Sequence, residues 1–121
     1  MGDSLTEKII SAAIEVHRIL GPGLLESIYE EALCYELSKR AMHFERQKDV
    51  DVVYKDQVIK GQRLDLLVNG EVVVEIKSVR RIDDIFTAQV LSYLKSTGMK
   101  RGLILNFGQT RLIDGVKRVS L

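Results

Sequence analysis

The sequence predicts an α/β fold in which a central mixed sheet is flanked by helices, with the element order α-α-β-β-β-α-β. Three observations support this prediction. Apolar residues recur at helical spacing through the first 40 residues, segments rich in β-branched residues follow Ala41, and helical spacing returns at Asp83 before another short apolar strand. The length of 121 residues fits one domain over residues 1–121, which can bury roughly two-thirds of the surface that the unfolded chain exposes.

Two helices are predicted in the first third of the chain. The first covers residues 4–20, where Ser4 and Glu7 have the spacing of a capping box and Gly21 follows the last turn. The second runs from about Leu24 to Arg40. Its predicted apolar face consists of Leu25, Ile28, Tyr29, Ala32 and Leu33.

The rest of the chain is predicted to be mostly strands, with one helix between them. Strands are expected over Val50–Tyr54, Leu64–Val68, Val72–Ile76 and Gly102–Asn106, with one or two short edge strands in the tail to Leu121. Asp83 and Asp84 open a third helix that continues to about Ser96.

The dipeptide Asn69-Gly70 predicts a hairpin whose register decides which side chains share a face. A two-residue loop pairs Leu64 with Glu75 and places Asp65 on the opposite face. A three-residue loop over residues 68–70, with Gly70 left-handed at a bulge, pairs Asp65 with Val73 and places Asp65, Glu75 and Lys77 together. We favour the second register because it separates polar from apolar side chains better.

Composition excludes several classes of protein. Hydrophobic residues make up 45 % and charged residues 29 %, which is a globular composition, and the net charge of +1 excludes binding to nucleic acid by bulk charge alone. A single cysteine, Cys34, permits no internal disulfide and suits a reducing cytoplasm. No apolar run is long enough for a membrane helix. Gly2 begins a loose N-myristoylation pattern, but these residues are better explained as a helix start.

Asp65, Glu75 and Lys77 are the residues that point most directly to chemistry. They lie on or beside two strands whose other residues favour burial, where like charges cost free energy unless a partner compensates them. Mg²⁺ binds to one or two carboxylates together with water and substrate phosphate, so it would compensate them here. Lys77 leaves the same face of its strand as Glu75 and could orient or deprotonate a water. The structural alternative is a solvated strand face.

Asp65 followed by Glu75-Ile-Lys77 on consecutive strands resembles the PD-(D/E)XK nuclease superfamily. The segment from Gly23 through Glu26 to Tyr29 is similar to the signature of the GxxExxY family, a branch of that superfamily. The likeness covers nearly the whole chain. It continues in Val16-His17, Gly21-Pro22-Gly23, Tyr35-Glu36-Leu37, Gln89 with Tyr93, Asn106-Phe107 and Asp114-Gly115.

The resemblance implies a metal-dependent phosphodiesterase with a PD-(D/E)XK core. It implies that Glu26, Asp65 and Glu75 bind Mg²⁺ or Mn²⁺ and that Lys77 is the catalytic lysine. Gln89 and Tyr93 resemble a Gln-x-x-x-Tyr element that positions the strand, although a packed tyrosine with a glutamine at its rim explains them equally well. Leu64 stands where the superfamily name has proline, a departure that we regard as harmless.

The expected function is therefore a cytoplasmic nuclease acting on nucleic acid, with DNA as the expected substrate. The alternative is a nuclease-fold module that binds nucleic acid or a protein partner without cutting. A homo-oligomer is also compatible with the sequence. The candidates for phosphate contacts are Arg80, Arg81, Lys95, Lys100 and Arg101, which we expect to flank the site.

Two further side chains leave alternatives open. His17 lies on an apolar helix face, where a hydrogen-bonded core histidine is favoured over a metal ligand. Glu36 is either a reserve carboxylate of the site or the partner of an arginine.

Overall fold

The computed structural model describes residues 3–121, which form three α-helices and five strands. In chain order the elements are α1 (Ser4–Leu20), α2 (Glu26–Lys39), β1 (Phe44–Tyr54), β2 (Gln57–Val68), β3 (Val72–Lys77), α3 (Asp84–Thr97), β4 (Arg101–Asn106), a 3-10 turn (Leu112–Gly115) and β5 (Val116–Ser120). The predicted class and element order are confirmed, with β5 as the edge strand of the tail. Gly2 lies outside the described residues. No helix within residues 3–121 is long and apolar enough to cross a membrane.

The five strands form one mixed sheet in the order β1-β2-β3-β4-β5. Neighbouring strands are antiparallel except for β3 and β4, which are parallel. A parallel pair needs a crossover connection, and α3 provides it between β3 and β4.

Each face of the sheet is covered by its own apolar core. On one face, α1 and α2 pack over side chains that include Leu66 and Val74. On the other face, α3 packs over side chains that include Val73 and Ile104. Because helices cover both faces, β3 and β4 are buried almost throughout, which explains why their sequences are nearly continuous apolar runs.

The start of α1 corrects the predicted capping box. The N-cap is Asp3, whose Oδ1 accepts hydrogen bonds from the backbone N–H groups of Leu5 at 3.1 Å and Thr6 at 3.3 Å. Ser4 is already the first helical residue. An aspartate one position earlier provides the same oxygen acceptor and adds a negative charge that the helix dipole favours.

The buried face of α2 differs in part from the predicted one. Tyr29 and Leu33 are completely buried as expected, but Leu25 is 72 % exposed and Ile28 is 46 % exposed. The face turns instead toward residues that include Glu30, which is only 7 % exposed. An ion pair compensates the charge of Glu30 there, as described below, so apolarity alone did not identify this face.

The β2–β3 hairpin has an odd-length loop, and its pairing differs from the predicted one. Leu67 pairs with Val73, which leaves residues 69–71 as the loop, and the glycine of this loop has the expected positive φ of 65°. Pairing Asp65 with Val73 is therefore wrong by two residues. Val68 stays in the strand because it is completely buried. In the observed register Asp65 still lies beside Glu75, so the two carboxylates come together as predicted.

β1 and β2 extend beyond the rest of the sheet as a two-stranded ribbon. β1 begins at Phe44 rather than Val50, and β2 begins at Gln57 rather than Leu64. The added segments are mostly exposed and polar, so they lack the apolar alternation on which the prediction rested. Val50 and Leu64 pack in the core beneath α3, whereas Leu66 packs in the core beneath α1 and α2, so β2 changes face at Asp65.

Candidate active site

The acidic side chains of β2 and β3 meet where these two strands separate. Regular pairing ends at Leu66 and Val74. Immediately beyond it, the backbone N–H of Asp65 donates to Oε2 of Glu75 at 2.7 Å, and the N–H of Ile76 donates to Oδ2 of Asp65 at 2.8 Å. Each carboxylate therefore accepts an N–H from the opposite strand that the strand ladder no longer satisfies. The structure brings Asp65 and Glu75 together, as the sequence predicted.

Burial makes this pair electrostatically costly. Glu75 is only 4 % exposed, and its burial, reinforced by the charge of Asp65, raises the pKa of Glu75 to about 8. Burial also raises the pKa of Asp65, while the hydrogen bond from Ile76 opposes that shift. Two like charges in a poorly hydrated gap favour a proton or a cation between them.

Lys77 lies two residues beyond Glu75, and its side chain leaves β3 on the same side. Its Nζ is 4.4 Å from the centroid of the Phe86 ring on α3, a cation–π distance. Its charge lowers the pKa of both Asp65 and Glu75, so the amine is within electrostatic reach of both. Within the described residues it forms no ion pair shorter than 4.0 Å. The amine can therefore contact a water or a phosphate.

Tyr93 and Gln89 lie one turn apart on α3 but in different environments. Tyr93 is 3 % exposed, and its pKa is raised to about 12 by burial and then by the charges of Glu75 and Asp65. Its phenol therefore remains a hydrogen-bond donor beside the carboxylates. Gln89 is exposed on the surface of α3. Tyr93 is therefore close enough to the carboxylates to respond to their charges, whereas the exposed Gln89 has no contact with them among the described residues.

Glu26, the first residue of α2, lies near the carboxylate pair but not in contact with it. Its side chain is exposed, and its charge makes the smallest of the contributions that raise the pKa of Glu75. No group of three or more His, Cys, Asp and Glu side chains in residues 3–121 is close enough to hold a metal ion. The three carboxylates predicted to bind the metal are thus not assembled as one direct ligand set.

The loop before Glu26 explains the glycine and the tyrosine of the Gly23–Tyr29 segment. Gly23 has a φ of 101°, a conformation open mainly to glycine. The buried hydroxyl of Tyr29 donates to the carbonyl of Gly21 at 2.6 Å and accepts from the N–H of Leu24 at 3.0 Å. Ser78 Oγ donates to the carbonyl of Leu24 at 2.7 Å, which attaches this loop to the end of β3 next to Lys77.

The loop after β4 holds the same end of β3. The Tyr29 ring stacks on Phe107 with centroids 4.4 Å apart, and the N–H of Phe107 donates to the carbonyl of Lys77 at 2.8 Å. Asn106 is completely buried, and its Oδ1 accepts from the N–H groups of Val79 and Gly108, both at 3.0 Å. These contacts fix the backbone at Lys77, from which its side chain extends.

Two residues with open assignments have structural partners. His17 is buried, and its Nε2 lies 2.9 Å from the carbonyl oxygen of Gln109, which confirms the hydrogen-bonded core histidine. Glu36 forms an ion pair with Arg40 at 3.4 Å, so it is the partner of an arginine.

Only some of the arginines and lysines expected to contact phosphates flank the site. Arg80 and Arg81 are exposed in the segment that follows β3. Arg101 pairs in register with Val72, at the end of β3 opposite Lys77, and its guanidinium bonds to Glu71 at 2.7 Å. The expectation that Arg101 and its neighbour Lys100 flank the site is therefore wrong.

A cluster of polar side chains around the buried Glu30, which the sequence did not reveal, adjoins Asp65. Glu30 on α2 accepts from Arg46 Nη2 at 2.9 Å on one oxygen and from Gln47 Nε2 at 2.9 Å on the other. The same Gln47 nitrogen lies 3.4 Å from Oδ1 of Asp65. Glu30 could have been suspected because it follows Glu26 by one helical turn. The sequence did not indicate a role for Gln47, because the predicted strand began at Val50, three residues later.

The donor set fits a hard divalent cation. Asp65 and Glu75 are the one or two carboxylates that Mg²⁺ prefers, and water and phosphate oxygens can complete its octahedral shell. Each carboxylate accepts a backbone N–H on one oxygen. Oε1 of Glu75, and Oδ1 of Asp65 beside the Gln47 amide, have lone pairs that can bind a cation. The repulsion between the buried Glu75 and the half-buried Asp65 is relieved when a cation binds.

Comparison with known proteins agrees with this geometry. Residues 3–119 match the family model described as the PD-(D/E)XK nuclease superfamily. The comparisons with curated proteins and with solved structures gave no significant match.

Proposed function

The chain belongs to the PD-(D/E)XK nuclease superfamily, and we propose that it is a divalent-metal-dependent nuclease that hydrolyses phosphodiester bonds in nucleic acid, with DNA as the expected substrate. Members of this superfamily are generally nucleases and typically use divalent metal ions. Gly23, Glu26 and Tyr29 support placing the chain in the GxxExxY branch. The single buried Cys34 suits a cytoplasmic location.

The observation that carries the proposal is the Asp65–Glu75 pair at the point where β2 and β3 separate. A fold selected for stability alone gains little from two like charges buried beside each other. A bound Mg²⁺ or Mn²⁺ supplies Lewis-acid polarisation of a phosphate and a more acidic water. In this proposal, Asp65 and Glu75 bind the ion directly and Glu26 binds through water.

The remaining side chains act on the phosphate and the attacking water. The Lys77 amine orients that water, or stabilises the negative charge that develops on the phosphate. The Tyr93 phenol donates a hydrogen bond from beside the carboxylates. Gln89 and the exposed Arg80 and Arg81 contact the nucleic-acid strand at the rim and hold it in register.

A cleavage assay tests this proposal. Purified protein is incubated with labelled single- and double-stranded DNA and RNA in Mn²⁺ or Mg²⁺, with and without chelator. We expect metal-dependent cleavage that chelator stops. Asp65→Asn and Glu75→Gln should abolish cleavage, because each removes a metal ligand. Lys77→Met should slow it by roughly 10²–10⁴-fold, the range typical of losing an acid–base group.

Asp56→Asn and Lys100→Met are the matched controls. Both residues are exposed and lie outside the site, so both variants should cut like the wild type. An active wild type whose Lys77→Met variant cuts equally well would rule out the role assigned to Lys77.

One observation favours the alternative of a nuclease-fold module that binds nucleic acid or a protein partner without cutting. The two carboxylates already accept each other's strand N–H groups, and Glu26 stands apart from them. Binding of labelled DNA without cleavage, equal in wild type and Glu75→Gln, would support this alternative.

A further inference from the structure

Gln47 has a left-handed backbone conformation at the point where the core side chains of β1 and β2 change from one face of the sheet to the other. Its φ is 49°, in the left-handed region, although it lies inside β1 and is not glycine. The pairs on either side, Arg46 with Leu66 and Lys48 with Leu64, keep one register. The register shift of this ribbon comes later, between Val50 and Val52. An inserted residue therefore does not explain the conformation of Gln47.

Lys55 provides a contrast within the same ribbon. Its φ is 55°, and it lies in the two-residue turn that joins Tyr54 to Gln57. Such tight hairpin turns require positive φ in order to reverse the chain. Gln47 does not reverse the chain; it lies where β1 passes from the core beneath α1 and α2, at Phe44, to the core beneath α3, at Val50. Unfavourable backbone conformations of this kind cluster at functional sites.

At this point the side chain of Gln47 lies between two carboxylates. Its amide nitrogen donates to Oε1 of Glu30 at 2.9 Å and lies 3.4 Å from Oδ1 of Asp65. An amide NH₂ has two hydrogens, enough for both oxygens. Arg46 fixes the other oxygen of Glu30, and the N–H of Ile76 fixes the other oxygen of Asp65. The amide therefore connects an anchored helix carboxylate to the remaining oxygen of Asp65.

The residue type also matters. A lysine or arginine at this position would neutralise Asp65 and compete with a cation, and a carboxylate would repel it. A neutral amide can orient Asp65 without changing the charge of the site. Partners of metal-binding carboxylates commonly act in this way, by fixing the orientation of the ligand.

We propose that Gln47 is a positioning residue that orients the Asp65 carboxylate toward a divalent cation and couples it to Glu30 on α2. This inference rests on the proposed function. It adds to that function a residue that supports the metal ligand Asp65 and connects the β1–β2 ribbon to α2.

The test measures binding of Mn²⁺ alone by isothermal titration calorimetry, together with thermal stability in chelator. Gln47→Gly removes the amide and adopts a φ near 49° without steric cost. We expect it to remain folded in chelator and to bind Mn²⁺ about 10–100-fold more weakly. Gln47→Leu removes the amide and keeps a side chain of similar size, so it should also bind Mn²⁺ more weakly.

Lys55→Gly is the matched control, because it relieves the same kind of backbone conformation away from the site. It should remain folded, with unchanged Mn²⁺ affinity. Wild-type affinity in Gln47→Gly and Gln47→Leu would overturn the positioning role and leave the nuclease proposal intact. A wild type that binds no Mn²⁺ would overturn both.

Discussion

Glu75 concentrates the energetic cost of the site in one side chain. It follows three buried valines on a strand covered by helices on both faces, and its neighbour across the gap is a second carboxylate. Its pKa of about 8 means that, without metal, the folded protein holds a proton on this group at pH values where the unfolded chain would not. Stability should therefore depend on pH through this residue.

We expect the metal-free protein to lose stability as the pH rises from about 5 to 8. A carboxyl group whose pKa is raised by folding contributes its full stability below the unfolded value, near 4.5, and this contribution disappears as the pH rises through 8. The full shift corresponds to a loss on the order of 5 kcal/mol, most of it between pH 5 and 8, since each pKa unit corresponds to about 1.4 kcal/mol. Denaturant unfolding in chelator at several pH values measures it.

Glu75→Gln should flatten this pH dependence, because glutamine does not titrate. Glu7→Gln, an exposed position in α1, should leave the dependence as it is in the wild type. Equal pH dependence in the wild type and Glu75→Gln would mean that other groups determine it.

At the scale of elements, apolar patterning predicted the helices and strands that form the core. The bounds of α1 agree with the prediction, and the chain order of the elements agrees throughout. The first half of β1 could not be predicted, because its residues are polar and its stability comes from pairing with β2. That segment carries Arg46 and Gln47. The contacts around Glu30 were therefore hidden, since they depend on a strand that apolar spacing did not reveal.

The β2–β3 hairpin also shows what apolar patterning can predict and what it cannot. Alternation predicted that Asp65 and Glu75 come together, and the structure brings both carboxylates into the gap between β2 and β3. Alternation repeats every two residues, so it could not distinguish registers that differ by two. Burial of Val68 decided between them, and burial depends on the assembled core.

The loop between α1 and α2 gives a prediction for Tyr29. Tyr29→Phe keeps the ring stacked on Phe107 but removes the hydroxyl that bonds to Gly21 and Leu24. Those backbone groups lose a partner, so the free energy of unfolding should fall by about 1–3 kcal/mol. Chemical denaturation measures the change. Tyr35→Phe is the control, because Tyr35 is 62 % exposed. Equal stability of both variants would show that the phenol does not hold the loop.

At the scale of the whole molecule, the site occupies a gap between two well-packed cores. α1 and α2 complete one core and α3 completes the other, while β2 leaves β3 between them. α2, β2, β3 and α3 each place at least one polar side chain at that gap. The packing of both cores thus fixes the carboxylates close together even though their repulsion opposes folding. The destabilising effect of this repulsion should be measurable in the free energy of unfolding of the entire protein.

Comparing Asp65→Asn with the wild type measures how far the repulsion between Asp65 and Glu75 lowers stability. Asparagine keeps an oxygen that can accept the N–H of Ile76, but it removes the charge beside Glu75. In chelator the variant should be the more stable, by about 0.5–2 kcal/mol. Mn²⁺ binds the native state, so millimolar Mn²⁺ should stabilise the wild type by mass action and leave Asp65→Asn nearly unchanged. The difference in melting temperature should therefore narrow or reverse when metal replaces chelator. If the wild type already melts higher in chelator, and Mn²⁺ shifts both proteins equally, then Asp65 and Glu75 serve the fold and not a metal.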